Sequence, residues 1–195
     1  MSQYAPVPWL PFAVTHNDSE TIVEVPGPQR ACGACLLCCK VLPVRDIEKP
    51  ANKWCRHAQI GAGCKIYANL PTSCRVWSCL WVLDKTMPEE LQPSRSHVIF
   101  DHMTDVVAAV DEQGRMERRR VIQLWVDPSH PAAHRAPAVR NVISKIGESF
   151  AMPTLARIGD SKGVLIAPPS MTPDGQWFEK VSVLGNPYSP QVPAA

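Results

Sequence analysis

Cys32-Gly-Ala-Cys35-Leu-Leu-Cys38-Cys39 opens a window that closes at Cys79 and holds every cysteine of the chain. The other four are Cys55, Cys64, Cys74 and Cys79, giving the spacing C-x2-C-x2-C-C-x15-C-x8-C-x9-C-x4-C. A packing role would scatter cysteines among core positions, because a thiol then behaves as a small apolar group. Gathering all eight in one short window points to soft-metal ligation. Four thiolates close a tetrahedral zinc site, so eight can make two. They can equally hold two cubane iron–sulfur clusters, or one cluster with four thiols left over. Cys38 and Cys39 are adjacent, and neighbouring side chains diverge, so the pair is expected to serve different metals or to bridge two.

Charge and compartment agree with that chemistry. Between Cys32 and Cys79, seven basic residues (Lys40, Arg45, Lys49, Lys53, Arg56, Lys65, Arg75) face two acids (Asp46, Glu48), a local excess of +5 in a chain of net charge +2. Cations beside thiols favour the thiolate form. The overall charge is too small to argue for nucleic acid or an anionic membrane. The start, MSQYAPVPWLPFAV, lacks the basic and apolar regions of a secretory signal, and no apolar run approaches the roughly 18 residues of a membrane span. The expected location is the cytoplasm, where structural disulfides are rare. A bacterial ferredoxin run is excluded, since it needs a fourth cysteine after three residues and then proline. Here Cys39 directly follows Cys38 and precedes Lys40.

The expected fold is α+β. Residues 1–30, with Pro6, Pro8, Pro11, Pro26 and Pro28, read as an extended arm. Residues 31–92 form the eight-cysteine module, built from short helices and loops. Asn69-Leu-Pro-Thr-Ser-Cys74 resembles a helix start with Pro71 in its first turn. On an unbroken helix Cys74 and Cys79 would diverge by roughly 140°, so they either straddle a break or serve different sites. Trp77 and Trp81, four apart, read as core packing. Residues 93–184 form an α+β unit packed on the module. Ser96–Phe100 and Val106–Val110 read as strands, the second paired with Arg120–Val126 across a hairpin turn at Asp111–Gly114. Ala136–Phe150 reads as an amphipathic helix through Val139, Val142, Ile143 and Ile146. A second hairpin runs from Leu155–Ile158 to Val164–Ile166, and 185–195 form a disordered tail.

The cysteine run, Glu48-Lys-Pro-Ala-Asn-Lys-Trp-Cys55, Gly63-Cys64-Lys-Ile-Tyr67 and Pro71-Thr-Ser-Cys74-Arg75-Val-Trp-Ser-Cys79 together resemble the YkgJ-like cysteine-cluster family, the CxxCxxCC zinc- or iron-chelating domain. The likeness covers about residues 31–82. Leu70 departs from it, because the family usually carries arginine before this proline. The resemblance implies metal chelation through all eight cysteines; the family has no settled reaction. The flagellin lysine methylases that carry related domains share no methyl-donor site with this sequence.

Outside the cysteines no catalytic constellation stands out. His57 lies two residues after Cys55 and reads as a surface histidine or one that supports a ligand. Tyr67 and Arg75 stand near the sulfurs. His97 and His102 bracket a strand, and His130 and His134 read as loop histidines because Pro131 interrupts a helix between them. Arg118-Arg119-Arg120 reads as a solvated strand edge. Asp127 and Asp160 are lone acids with no base to pair with. There is no P-loop, dinucleotide fingerprint or nucleophile elbow. The expectation is therefore a cytoplasmic protein holding zinc or iron, with iron as iron–sulfur cluster the alternative, in two centres. Trp54, Trp77 and Trp81 would shield the centres from water. Its partner would be a metalloenzyme or accessory complex, with neither nucleic acid nor membrane involved.

Overall fold

The computed structural model describes residues 27–110 and 116–183. The tail and nearly all of the proline-rich arm expected from the sequence lie outside these residues, as does the Asp111–Gly114 turn. The fold is α+β, with a five-stranded sheet flanked on one side by a helix and on the other by the cysteine segment.

The cysteine segment contains little regular structure. Helix α1 spans Leu37–Val41, and strands β1 (Ala58–Gln59) and β2 (Gly63–Cys64) make a two-stranded hairpin. Helices α2 (Thr72–Val76) and α3 (Leu80–Leu83) follow, with extended backbone at Trp77 between them. Pro71 caps α2 in extended conformation, as its fixed φ and missing N–H favour at a helix start. Because the helix breaks, Trp77 and Trp81 do not share one helical face. Trp81 is buried, whereas Trp77 is half-buried against the core.

After the short helix α4 (Pro93–Ser96), strand β3 runs unbroken over Val98–Val110. The sequence pattern suggested two strands there, and the reason is a register shift between Phe100 and Thr104 that interrupts the alternation. Strand β4 (Met116–Val126) pairs antiparallel with β3. Helix α5 (Pro137–Phe150) then carries the chain over to β5 (Thr154–Ile158), which lies parallel to β4. Two antiparallel additions complete the sheet, β6 (Lys162–Ala167) and β7 (Phe178–Val183).

Strand alternation sorts side chains between two faces. Phe100, Leu124, Ala156 and Val164 occupy paired positions on one face, and α5 supplies Val139, Val142, Ile143 and Ile146 to the same core. The other face presents Ile99, Trp125 and Arg157 in register. Against β3 lie α1 and α3, so the apolar core also takes in Leu37, Val41, Cys79, Leu80, Trp81 and Val82. The cysteine segment is anchored to the sheet at its two ends.

Candidate metal centre

All eight cysteines line a single cavity of about 530 Å³ between the cysteine segment and the sheet. None is disulfide-bonded, and all but the buried Cys79 are half-buried. Each arrives by a local device. Gly33, at φ +56°, makes the tight turn that lets the Cys35 N–H donate to the Cys32 carbonyl at 3.0 Å. Cys38 and Cys39 sit on α1, which Leu37 and Val41 pin into the core. The Cys55 N–H donates to the Cys39 carbonyl at 2.9 Å. The β1–β2 hairpin then returns the chain to Cys64, with Lys65 N–H donating to His57 O at 2.9 Å.

Gly63 has φ +104°, and a Cβ there would stand 2.9 Å from the Gly33 carbonyl oxygen. Two glycines thus let the first cysteine turn and the hairpin touch backbone to backbone. Cys74 lies on α2, which is held by Ser73: its N–H and hydroxyl both donate to the Asp46 carboxylate at 2.8 Å. Cys79 immediately precedes α3 and accepts the Val82 N–H at its carbonyl.

The electrostatic neighbours of the thiols fall into two sets. Burial pushes the Cys79 thiol up to about 12, and Cys32 and Cys35 act on it in the same sense. Cys38 is raised well above a free thiol by hydrogen bonding to Cys39 and by burial, with Cys32 and Cys79 adding to the effect. The second set surrounds Cys74, pushed up to about 11 by burial and then by Cys39, Cys55 and Cys64. Cys39 stands at the seam. It also raises Cys32, after burial and Cys35, and the hydrogen bond from Cys38 brings its own thiol down to about 7, with Lys49 helping against burial. Cys32 and Cys79 thus act on Cys38, whereas Cys55 and Cys64 act on Cys74, and Cys39 acts on both sides.

Lys49 is a buried cation beside the thiols, and Arg45 and Arg75 also line the cavity. Lys49 Nζ donates to the carbonyls of Lys40 (2.9 Å) and Leu42. Burial lowers its pKa, while Cys39, Cys55, Cys38 and Cys74 in their charged form hold it up. Thiols this crowded resist ionising together, so a bound cation is what would convert the set to thiolates.

The sheet supplies the opposite wall. Asp101 is buried and accepts the indole N–H groups of Trp77 (3.0 Å) and Trp125 (3.2 Å) and the Met103 N–H (3.0 Å). The tryptophans beside the cysteines are therefore Trp77, Trp81 and Trp125. Trp54 is 49% exposed and does not line the cavity, which corrects its expected shielding role; its ring lies 5.8 Å from Lys40 Nζ. Tyr67, Arg75 and His57 do line it. His57 approaches through its backbone, whose N–H donates to Cys55 Sγ at 3.4 Å.

The donor chemistry fits a soft metal, and the spacing carries further information. Zn–S bonds of 2.3 Å in a tetrahedron place sulfurs about 3.8 Å apart. Among the described residues no three cysteine sulfurs lie within 4.8 Å of one another; the one set of three donors that does is His97, Asp127 and His130. The sequence left Asp127 unpaired, set His97 beside a strand and marked His130 as a loop histidine. The pairing of β3 with β4 brings them together, with the Asp127 N–H donating to the His97 carbonyl at 2.9 Å. No signal in the one-dimensional pattern reports that register. No family model, no curated protein and no solved structure matches this chain.

Proposed function

We propose that this chain is an iron–sulfur protein whose eight thiolates hold two clusters. Cys32, Cys35, Cys38 and Cys79 would hold one, and Cys39, Cys55, Cys64 and Cys74 the other. The observation carrying this reading is the lining of one cavity by all eight unpaired cysteines, in two electrostatic sets that part at Cys38-Cys39. Two four-thiolate sets are the ligand count that two cubane clusters require. The resemblance of residues 31–82 to the YkgJ-like cysteine-cluster family adds support for chelation by the same eight positions.

Such clusters supply one-electron chemistry when bound. The chain's own part is environmental. Trp77, Trp81 and Trp125 exclude water from the cavity, and Asp101 fixes two of them by hydrogen bonds to both indoles. Lys49 places a buried positive charge beside the second set, favouring the more negative, reduced state there. Eight thiolates leave no ligand position open, which argues for electron transfer or cluster handling in service of a partner metalloenzyme rather than hydrolysis. Thiolate ligation also suits a reducing compartment, and we place the protein in the cytoplasm. No helix among the described residues is long and apolar enough to cross a membrane.

Anaerobic purification followed by iron, zinc and acid-labile sulfide analysis tests this. Brown protein with about four irons and four sulfides per centre is expected. Colourless protein with stoichiometric zinc and no sulfide would replace clusters by structural zinc.

A further inference from the structure

We propose that His97, Asp127 and His130 form a second, independent site for a first-row divalent cation, built from nitrogen and oxygen donors. One ligand atom from each residue lies within 4.8 Å of the others. Two imidazoles and a carboxylate are a donor set that suits zinc, cobalt(II) or iron(II) and leaves positions open around the ion. The site shares no ligand with the cysteine cavity and stands whatever that cavity holds.

Asp127 is the organised member. It is 5% exposed, and its two oxygens have different tasks. Oδ1 accepts from Lys40 Nζ at 2.6 Å and from the Ser129 N–H at 2.9 Å. Oδ2 faces the histidines, 3.6 Å from His130 Nδ1 and 3.9 Å from His97 Nδ1. Those separations exceed hydrogen-bond length. The three atoms lie close together without bonding one another, while Lys40 and Ser129 fix the carboxylate from behind, as partners of metal-binding carboxylates do.

His97 is equally constrained. It ends α4 at φ +60°, a left-handed conformation uncommon for a residue with a side chain. Its N–H donates to the Pro93 carbonyl and its own carbonyl accepts from Asp127. His130 is the adjustable member, with a half-exposed side chain. Its ring stacks on that of His97 at 3.5 Å between centroids and 10° between planes. Ligation requires the rings to splay so that each lone pair meets the ion, and His130 has the exposure to swing. Both histidines open onto a groove of about 650 Å³, lined also by Arg95, Ala133 and Ala136, which gives an ion and a further ligand access.

Anaerobic titration of the full chain, metals retained as isolated, with cobalt(II) tests the site. We expect one saturable cobalt per chain with weak visible bands and no thiolate-to-cobalt charge transfer. Zinc should displace it. His130→Ala and Asp127→Asn should each weaken this binding by about tenfold or more, with iron or zinc at the cysteines unchanged. Since His130 is half-exposed, its variant should melt like the parent when cobalt is absent; His130→Gln serves as a second test. Cobalt entering an empty cysteine cavity announces itself by intense charge transfer, so failure there is seen separately. Absence of a cobalt equivalent free of charge transfer, or unchanged affinity in both His130 variants, would overturn the site.

Discussion

Between residues 42 and 78, Val44 is the one buried hydrophobic side chain, whereas the sheet and α5 bury Ile99, Ile122, Leu124, Ile143, Ile146 and Ile166 almost completely. The two regions differ as much in regular structure. Strand β3 is 13 residues long and α5 is 14, while the helices of the cysteine segment have five residues or fewer and its strands two. Isolated helices that short are not stable in water, and a segment with so little apolar burial cannot offset the entropy of ordering its backbone. The sheet unit is a hydrophobic-core domain. The cysteine segment is tied to it at α1 and α3 and, between those ties, by hydrogen bonds such as Asn52 Nδ2 to Asp160 Oδ1 at 2.6 Å and Trp77 Nε1 to Asp101 Oδ1 at 3.0 Å.

Removing the metal should therefore separate the two regions. Stripping with a strong chelator under reducing conditions is expected to abolish amide protection across 42–78 and leave it at 121–126 and 154–158. The lost stabilisation is on the order of 10 kcal/mol per closed thiolate site. Protection that persists across 42–78 in the stripped protein would break the comparison.

The converse change is Ile143→Ala. Its side chain is fully buried between α5 and the sheet, so truncation should cost about 2–5 kcal/mol. Denaturant unfolding measures the cost, and the metal content of the folded fraction should be unchanged.

Gly63→Ala probes the contact that joins the first cysteine turn to the hairpin. The new Cβ would meet the Gly33 carbonyl at 2.9 Å on a backbone of φ +104°. A destabilisation of about 1–2 kcal/mol is expected from the backbone alone, together with faster metal loss to a chelator. Equal loss rates in parent and variant would show that the contact does not support the centre.

The smallest effect is a pH dependence confined to metal-free protein. Burial at the start of α3, which stays anchored to the sheet, pushes the Cys79 thiol up to about 12, above an ordinary thiol near 9. Groups raised in this way contribute stability that is complete below the unfolded value and is lost as pH climbs through the folded ones. Metal-free protein should weaken from about pH 9 towards 12. Protein with its thiolates ligated should instead release metal as acid protonates them. Thermal melts of both forms from about pH 4 to about pH 12 distinguish the two trends.

Much of this was legible in the chain. Cysteine spacing picked out the eight residues that the fold gathers around one cavity. Helical periodicity in Val139, Val142, Ile143 and Ile146 located α5 to within a residue. Other features depended on relations that a linear pattern does not carry. Strand β7 alternates weakly, with Phe178 and Val181 exposed, and is held by pairing to β6 and by Glu179 contacts to Arg135 and Arg140. The parallel β4–β5 pair follows from where α5 returns the chain. Trp125 and Asp101 reach the cavity only because the sheet forms its wall, and Asp127, with His130 three residues on, finds Lys40 and His97 from two distant segments.

Counting metal in cysteine variants tests the two-set arrangement most directly. Cys79→Ala and Cys74→Ala are each predicted to retain one centre, half the parent's metal per folded chain, and the double variant none. Loss of all metal from either single variant, or full metal in both, would contradict two separate four-thiolate centres.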